Sequence, residues 1–200
     1  MRRFSLTAAL SAAVMILALP LCAQEGSAAR KAEEEKAGGA AKPDIVLVEI
    51  EPFSYAAVEM TGSYEQHADA FMKLYGAAGQ QGLPMTEAPF GIYWNSPDDT
   101  AEEELKWEIG MPLPGDKKLE APIIMKKWEY TTVVQRDFEG AIDSDEMRGV
   151  YYAMFEWMEK NGYEPAGPMM EKFLNMPSAN EKGEMIGKVQ ILIPVQKKQK

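Results

Sequence analysis

The feature that most constrains this chain is an internal repeat that begins beyond Pro43. Phe53-Ser-Tyr-Ala-Ala-Val58 reads beside Trp128-Glu-Tyr-Thr-Thr-Val133 as aromatic, any residue, Tyr, two small residues and Val. A Gly follows each segment, and then a helical stretch. Ser63 and Gln66 form a capping box for a first helix reaching about Gln80, and Asp143 and Glu146 have that spacing before a second helix that ends at Asn161-Gly162. After the helices, Gly91-Ile-Tyr-Trp-Asn-Ser-Pro97 matches Glu171-Lys-Phe-Leu-Asn-Met-Pro177. Lys106-Trp-Glu-Ile-Gly-Met-Pro-Leu113 likewise matches Lys188-Val-Gln-Ile-Leu-Ile-Pro-Val195. The unit is strand, helix, strand, strand. The predicted fold is therefore α+β, with two tandem βαββ repeats forming a curved antiparallel sheet and two helices on one face.

Strand period then sorts side chains by face. Val189, Ile191 and Ile193 share one face of the last strand, and Trp107, Ile109 and Met111 hold the equivalent places in the first half. These sets should meet apolar stripes at helical spacing, Phe71, Leu74, Tyr75 and Ala78 in one helix and Met147, Val150, Tyr151, Met154 and Met158 in the other. The opposite face carries Gln190 and Leu192, with Glu108 and Gly110 in the other copy. The same alternation groups Tyr55, Ala57 and Glu59, and sets Tyr130, Thr132 and Val134 as their counterparts, with Tyr93 facing the same way as Phe173. Aromatics with few polar groups on a helix-free concave face suit a pocket for a flat organic molecule. The pattern equally fits scattered exposed aromatics or a surface closed by a partner subunit.

The N-terminus reads differently. Met1-Arg2-Arg3 is basic, Leu6 to Leu21 is an apolar run shorter than the roughly 20 residues of a bilayer span, and small residues follow. Residues 1–23 are expected to be an export signal cut after Ala23, giving a periplasmic or secreted protein. Leu21 is bulky for a lipoprotein box at Cys22, so a membrane partner enters only if Cys22 is lipidated. Residues 24–42, rich in Ala, Glu, Lys and Gly, read as a flexible linker, residues 43–196 as the folded domain and 197–200 as a basic tail. The formal net charge is −10, and the signal would carry away Arg2 and Arg3. Such an acidic chain argues against nucleic acid, whose phosphates require clustered Lys and Arg. With one cysteine and one histidine there is no metal-binding cluster, and no phosphate loop is present.

Ile92 to Glu108, followed by Met111-Pro-Leu-Pro-Gly115, resembles the first-half signature of the GyrI-like small-molecule-binding domains. Phe155-Glu-Trp-Met-Glu-Lys-Asn-Gly-Tyr-Glu-Pro-Ala-Gly-Pro168, Glu171-Lys-Phe-Leu-Asn175 and the Ile-Pro-Val ending resemble the second half. The likeness runs from about Ile45 to Val195. It implies the tandem-repeat fold and a role in binding a small amphipathic aromatic molecule, as in effector domains of multidrug-responsive activators. Gln190 stands where the family commonly places a pocket Glu, and an amide carries no charge. Phe173 stands where the pattern Glu-x-Tyr puts a hydroxyl. On this likeness the second half has lost both ionisable groups, and the expected ligand-binding residues are Tyr55, Glu59, Tyr93, Glu108, Tyr130, Phe173 and Gln190.

With no DNA-reading segment before Ile45, the expected function is an exported protein that sequesters or senses such a ligand in the cleft between the repeats, with no cofactor. Two alternatives follow from the resemblance. One is a hydrolase of strained electrophilic toxins, for which Glu108 and Tyr93 would serve. The other is haem binding of the SOUL type, for which His67 is the available ligand.

Overall fold

The computed structural model describes residues 45–142 and 144–199, within the compact unit Pro43–Lys200. Ten strands form one antiparallel sheet. In chain order they are β1 (Val46–Glu49), β2 (Phe53–Thr61), β3 (Phe90–Tyr93), β4 (Lys106–Pro112), β5 (Ile124–Trp128), β6 (Thr132–Ala141), β7 (Tyr163–Pro165), β8 (Met169–Phe173), β9 (Ser178–Ala179) and β10 (Met185–Lys197). Helix α1 (His67–Gln80) follows β2, and α2 (Asp145–Lys160) follows β6. The spatial order is β1-β6-β10-β8-β3-β4-β2-β5, with β7 and β9 also pairing to β10.

The two βαββ units are β2-α1-β3-β4 and β6-α2-β8-β10. Each is completed by a strand from the other side of the duplication: β1 precedes β2 in the chain but pairs with β6, while β5 precedes β6 but pairs with β2. The exchange keeps register, since Val46 opposes Gln135 as Ile124 opposes Ala57, each 78 positions from its counterpart. The halves join along β3 and β8, where Gly91 faces Glu171 directly. Turn chemistry is repeated too. Asn95 Oδ1 accepts from the Lys106 N–H (2.9 Å) and Asn175 Oδ1 from the Lys188 N–H (2.6 Å), pinning the loops that follow the two central strands.

Helix starts depart slightly from expectation. Ser63 accepts from the Glu65 N–H and opens a 3-10 turn, Tyr64–Gln66, after which α1 begins. In the second half Ser144 is the cap, accepting from the Met147 N–H at 3.2 Å, and Asp143 lies outside the described residues. Both helices pack where the alternation placed them. Ala70, Leu74 and Ala78 of α1 close over Val58, Trp107, Ile109 and Met111, and Val150, Met154 and Met158 of α2 close over Val189, Ile191 and Ile193.

The helix-free face differs from expectation. Tyr55, Ala57, Phe90, Ile92, Trp128, Val133, Met170 and Leu192 form a third buried cluster, with Phe53 and Tyr130 packed against it. The Tyr55 and Phe90 rings meet edge to face at 5.2 Å, and Trp128 and Tyr130 at 4.9 Å. The expected hollow is thus filled by the protein's own side chains. Val134, expected beside Tyr130, instead lies under α2. The counterpart of Tyr55 in the sheet is Val133, three residues beyond Tyr130, and an odd shift turns every side chain to the other face.

Room on the filled face depends on Gly110, where an added Cβ would stand 2.6 Å from Phe90 Cε2 and 3.0 Å from Tyr55 Cδ2. Gly110→Ala should therefore lower stability by about 1–3 kcal/mol through overpacking. Urea unfolding would measure this, and an unchanged midpoint would show that the cluster has slack.

Candidate functional site

Antiparallel pairing of β3 with β8 sets Gly91 and Glu171 side by side on the helix-bearing face, midway between the repeats. A Cβ at Gly91 would stand 2.4 Å from Tyr93 Oη, so the missing side chain is what lets the Tyr93 ring fold back along the floor. Beside it Glu171, only 7% exposed, accepts a hydrogen bond from Tyr151 Oη of α2. Above this floor opens a cavity of about 1050 Å³, lined by Tyr64, His67, Phe71, Tyr75, Tyr93 and Phe173 among others.

The aromatic wall is built by contact of ring on ring. Phe71 and Tyr75, one helical turn apart, stack at 5.9 Å, Phe173 meets Phe71 edge to face at 5.5 Å, and Tyr64 meets Tyr93 at 5.2 Å. His67 is held on two sides. Its Nδ1 lies against the Tyr64 carbonyl, which can only accept and so fixes a hydrogen on that nitrogen, and its Nε2 is 2.8 Å from Tyr93 Oη. The imidazole also lies over Trp107, centroid to centroid 4.6 Å. Both ring nitrogens therefore have protein partners, an arrangement unlike that of a haem ligand with an open Nε2.

Charge in the lining is of one sign. Glu65 and Glu171 are its carboxylates, and no Lys or Arg occurs among the described lining residues. Burial first, and the charge of Glu171 second, push the Tyr64 phenol up to about 12, and burial raises Tyr75. These hydroxyls stay protonated through the neutral range. The cleft is an aromatic cage with a carboxylate in its floor, suited to an apolar body carrying positive charge.

Of the expected site residues, Tyr93 and Phe173 share this cleft, on the helix-bearing face and not the helix-free one. The others lie across the sheet. Glu108, 1% exposed, accepts from Tyr55 Oη at 2.6 Å and from Lys126 Nζ at 2.5 Å, and Lys126 also reaches Glu59 at 2.9 Å. Burial opposes the Lys126 charge, but the bonds to Glu108 and Glu59 outweigh it and raise its pKa. Burial, and then the bond to Glu108, hold the Tyr55 phenol far above its ordinary value. Tyr130 packs on Trp128 and lies over Gly167, where a Cβ would come within 2.4 Å of its ring. Gln190 Nε2 donates to Asp137 Oδ1 at 3.0 Å, a cross-strand rung on the helix-free face.

Sequence reasoning missed Glu171. Positions 173 and 190 carry no ionisable group, but Glu171 and Tyr151 of the second half lie together beside the cleft, and position 190 faces away from it. The signal was present in Glu171-Lys-Phe173, because residues two apart in a strand share a face, so whatever located Phe173 in the pocket located Glu171 too.

Fold and cleft together define a tandem-repeat α+β module for binding small molecules. The chain belongs to the GyrI-like small molecule binding domain family, whose model matches residues 43–196. It is 24% identical over 113 residues to DNA gyrase inhibitor 2 of Dickeya dadantii (strain 3937), covering 56% of this chain and 71% of that protein. Among solved structures it resembles EcmrR in a complex with DNA, at TM-score 0.65 and 19% identity over 86% of this chain. It spans 65% of the EcmrR chain. A hydrolase from Listeria innocua shares the fold at TM-score 0.58 and 15% identity, over 82% of this chain and 98% of that one.

Two measurements separate the faces. Tyr55→Phe leaves buried Glu108 short of a donor and should lower stability by about 1–3 kcal/mol, read by chemical denaturation, while affinity for a cleft ligand stays within about twofold. The raised phenols act on stability from the alkaline side. An unfolded tyrosine ionises near 10.0, whereas burial holds the Tyr64 proton up to about 12, so the contribution of Tyr64 is complete below pH 10 and is lost as pH rises through 12. Unfolding midpoints should fall over that window, and less steeply in Tyr64→Phe. Equal slopes would contradict the assignment.

Proposed function

We propose that this protein binds an amphipathic aromatic molecule bearing positive charge in the cleft between its repeats, and that it is exported and sequesters or senses that molecule. The observation that carries the reading is the aromatic cavity with Glu171 in its floor and no cationic side chain among its described lining residues. Rings of Phe71, Tyr75, Tyr93 and Phe173 supply flat apolar contact, and the carboxylate supplies the counter-charge, which a low-dielectric wall strengthens. Membership of a small-molecule-binding family supports ligand binding as such. The acidic composition favours cations over nucleic acid.

A hydrolase built on Glu108 and Tyr93 has no support in the geometry. Glu108 is engaged with Tyr55 and Lys126 in the face opposite the one Tyr93 lines. Export rests on the order basic, apolar, small in residues 1–23, which lie outside the described residues.

Titration with a planar cationic dye and a neutral dye of the same outline tests the ligand reading. The cation should bind more tightly, and Glu171→Gln should weaken it by about 10–100-fold while changing the neutral dye little. Absence of saturable binding by either dye, or equal loss for both, would defeat it. Export has its own test in the mass of the protein recovered from the cell envelope: Gln24 at the N-terminus is expected, a diacylated Cys22 would show a lipoprotein, and an intact Met1 would contradict processing.

A further inference from the structure

Sulfur is distributed unevenly over the fold. Met111, Met147, Met154, Met158 and Met170 are fully buried, whereas Met72, Met176 and Met185 are 66%, 81% and 48% exposed, and these three line the cleft. They come from three separate places, α1, the segment after β8 and the start of β10, so helical or strand periodicity does not account for their meeting at one opening. Leu174, 49% exposed, completes an apolar rim around a cleft whose floor is polar. The single cysteine of the chain is at position 22, so residues 45–199 contain no thiol and their oxidisable sulfur is thioether. Met85 is exposed to a similar degree, 53%, but is not part of the lining.

We infer that Met72, Met176 and Met185 form an oxidant-sensitive mouth, and that their sulfoxidation by a peroxide lowers the affinity of the cleft for its ligand. The inference rests on the ligand reading above. In each event a peroxide oxygen bonds to Sδ as the O–O bond breaks. The thioether loses two electrons, and the peroxide gains them and leaves as water. A flexible apolar side chain becomes a polar, chiral sulfoxide. Exposed thioethers of this kind adapt to varied apolar ligands, and three S=O dipoles around the opening must be desolvated before an aromatic body can rest against it. Two-electron reduction by a dithiol reductant, which is oxidised to its disulfide while the sulfoxide oxygen leaves as water, restores the apolar rim and makes the change reversible.

The test treats the full chain with graded hydrogen peroxide, maps sulfoxides by peptide mass spectrometry and titrates a planar cationic dye. Met72, Met176 and Met185 should oxidise ahead of the buried methionines, and dye affinity should fall by about tenfold or more in step with them. A Met72→Leu/Met176→Leu/Met185→Leu variant, whatever its starting affinity, should show the same affinity before and after peroxide, and Met85→Leu should give no such protection. Unchanged affinity of the oxidised wild type, or an equal fall in the triple variant, overturns the inference. Retention on a phenyl column reads the rim without a ligand. Oxidation should shorten it for wild type and not for the triple variant, and unshifted wild-type retention also overturns the inference. A wild type that binds no dye before oxidation defeats the ligand reading, and with it the effect on affinity that depends on that reading.

Discussion

The ladder between β3 and β8 is the contact on which the rest of the molecule depends. Without it the chain would be two small sheets, each with one helix and an exposed inner edge. With it the sheet is continuous, and the helices stand apart on one face because each covers its own repeat. The cleft opens beside α1, floored by the strands that make the join. Its position follows from topology, before any side chain is considered. Exchange of β1 and β5 reinforces the ladder, since each repeat is completed by a strand that leads into the other.

The two faces of the sheet use aromatic residues to opposite ends. On the helix-free face Phe53, Tyr55, Phe90 and Trp128 interlock, and the charges beneath them are engaged: Glu108 with Tyr55 and Lys126, Lys126 with Glu59. Burying an ion pair gives little net stability over well-packed apolar groups, but removing one partner leaves the other stranded, so the network opposes alternative packings of β2, β4 and β5. On the helix-bearing face the rings line a space. What separates the faces is cover. Phe53 and Tyr130 pack against the buried cluster on one face, whereas on the other a cavity opens beside α1.

Much of this was legible in the sequence, and the failures have a shared origin. Helix stripes, the matched central strands and the α+β repeat follow from periods of 3.6 and 2, which local residues express directly. The face of β6 was misread because Phe53-x-Tyr55 was matched to Trp128-x-Tyr130. In the folded chain Phe53 and Trp128 are cross-strand neighbours in the pair β2 and β5, and Tyr130 lies beyond the strand. They look alike because they pack together, not because they are equivalent. Gly62 and Gly140, the same 78 positions apart as the exchanged strands, carry the true alignment. Cover was equally invisible: no local pattern tells that side chains from strands of both repeats will meet and fill one face. Tyr93 and Phe173 were rightly paired and wrongly faced.

The duplication does not give a symmetric cleft: residues from Tyr64 to Tyr75 of the first half line it, and no residue of α2 is among the described lining residues. Counterparts 80 positions apart keep their character on the helices: Leu74 and Met154 lie in the core, and Phe71 and Tyr75 correspond to Tyr151 and Phe155. The first pair lines the cleft, whereas Tyr151 turns to Glu171 and Phe155 is exposed outside the lining, so the flat contact comes from one side. Polarity is not repeated. Where one strand has Gly91 the other has Glu171, and where one has Tyr93 the other has Phe173. The glycine admits a tyrosine ring that points back along its own strand, and the glutamate takes a hydrogen bond from the helix of its own half. Each half thus contributes one polar group of a different kind to a single floor. The aromatic helical wall comes from one repeat, and the polar groups of the floor stand at positions where the copies have diverged.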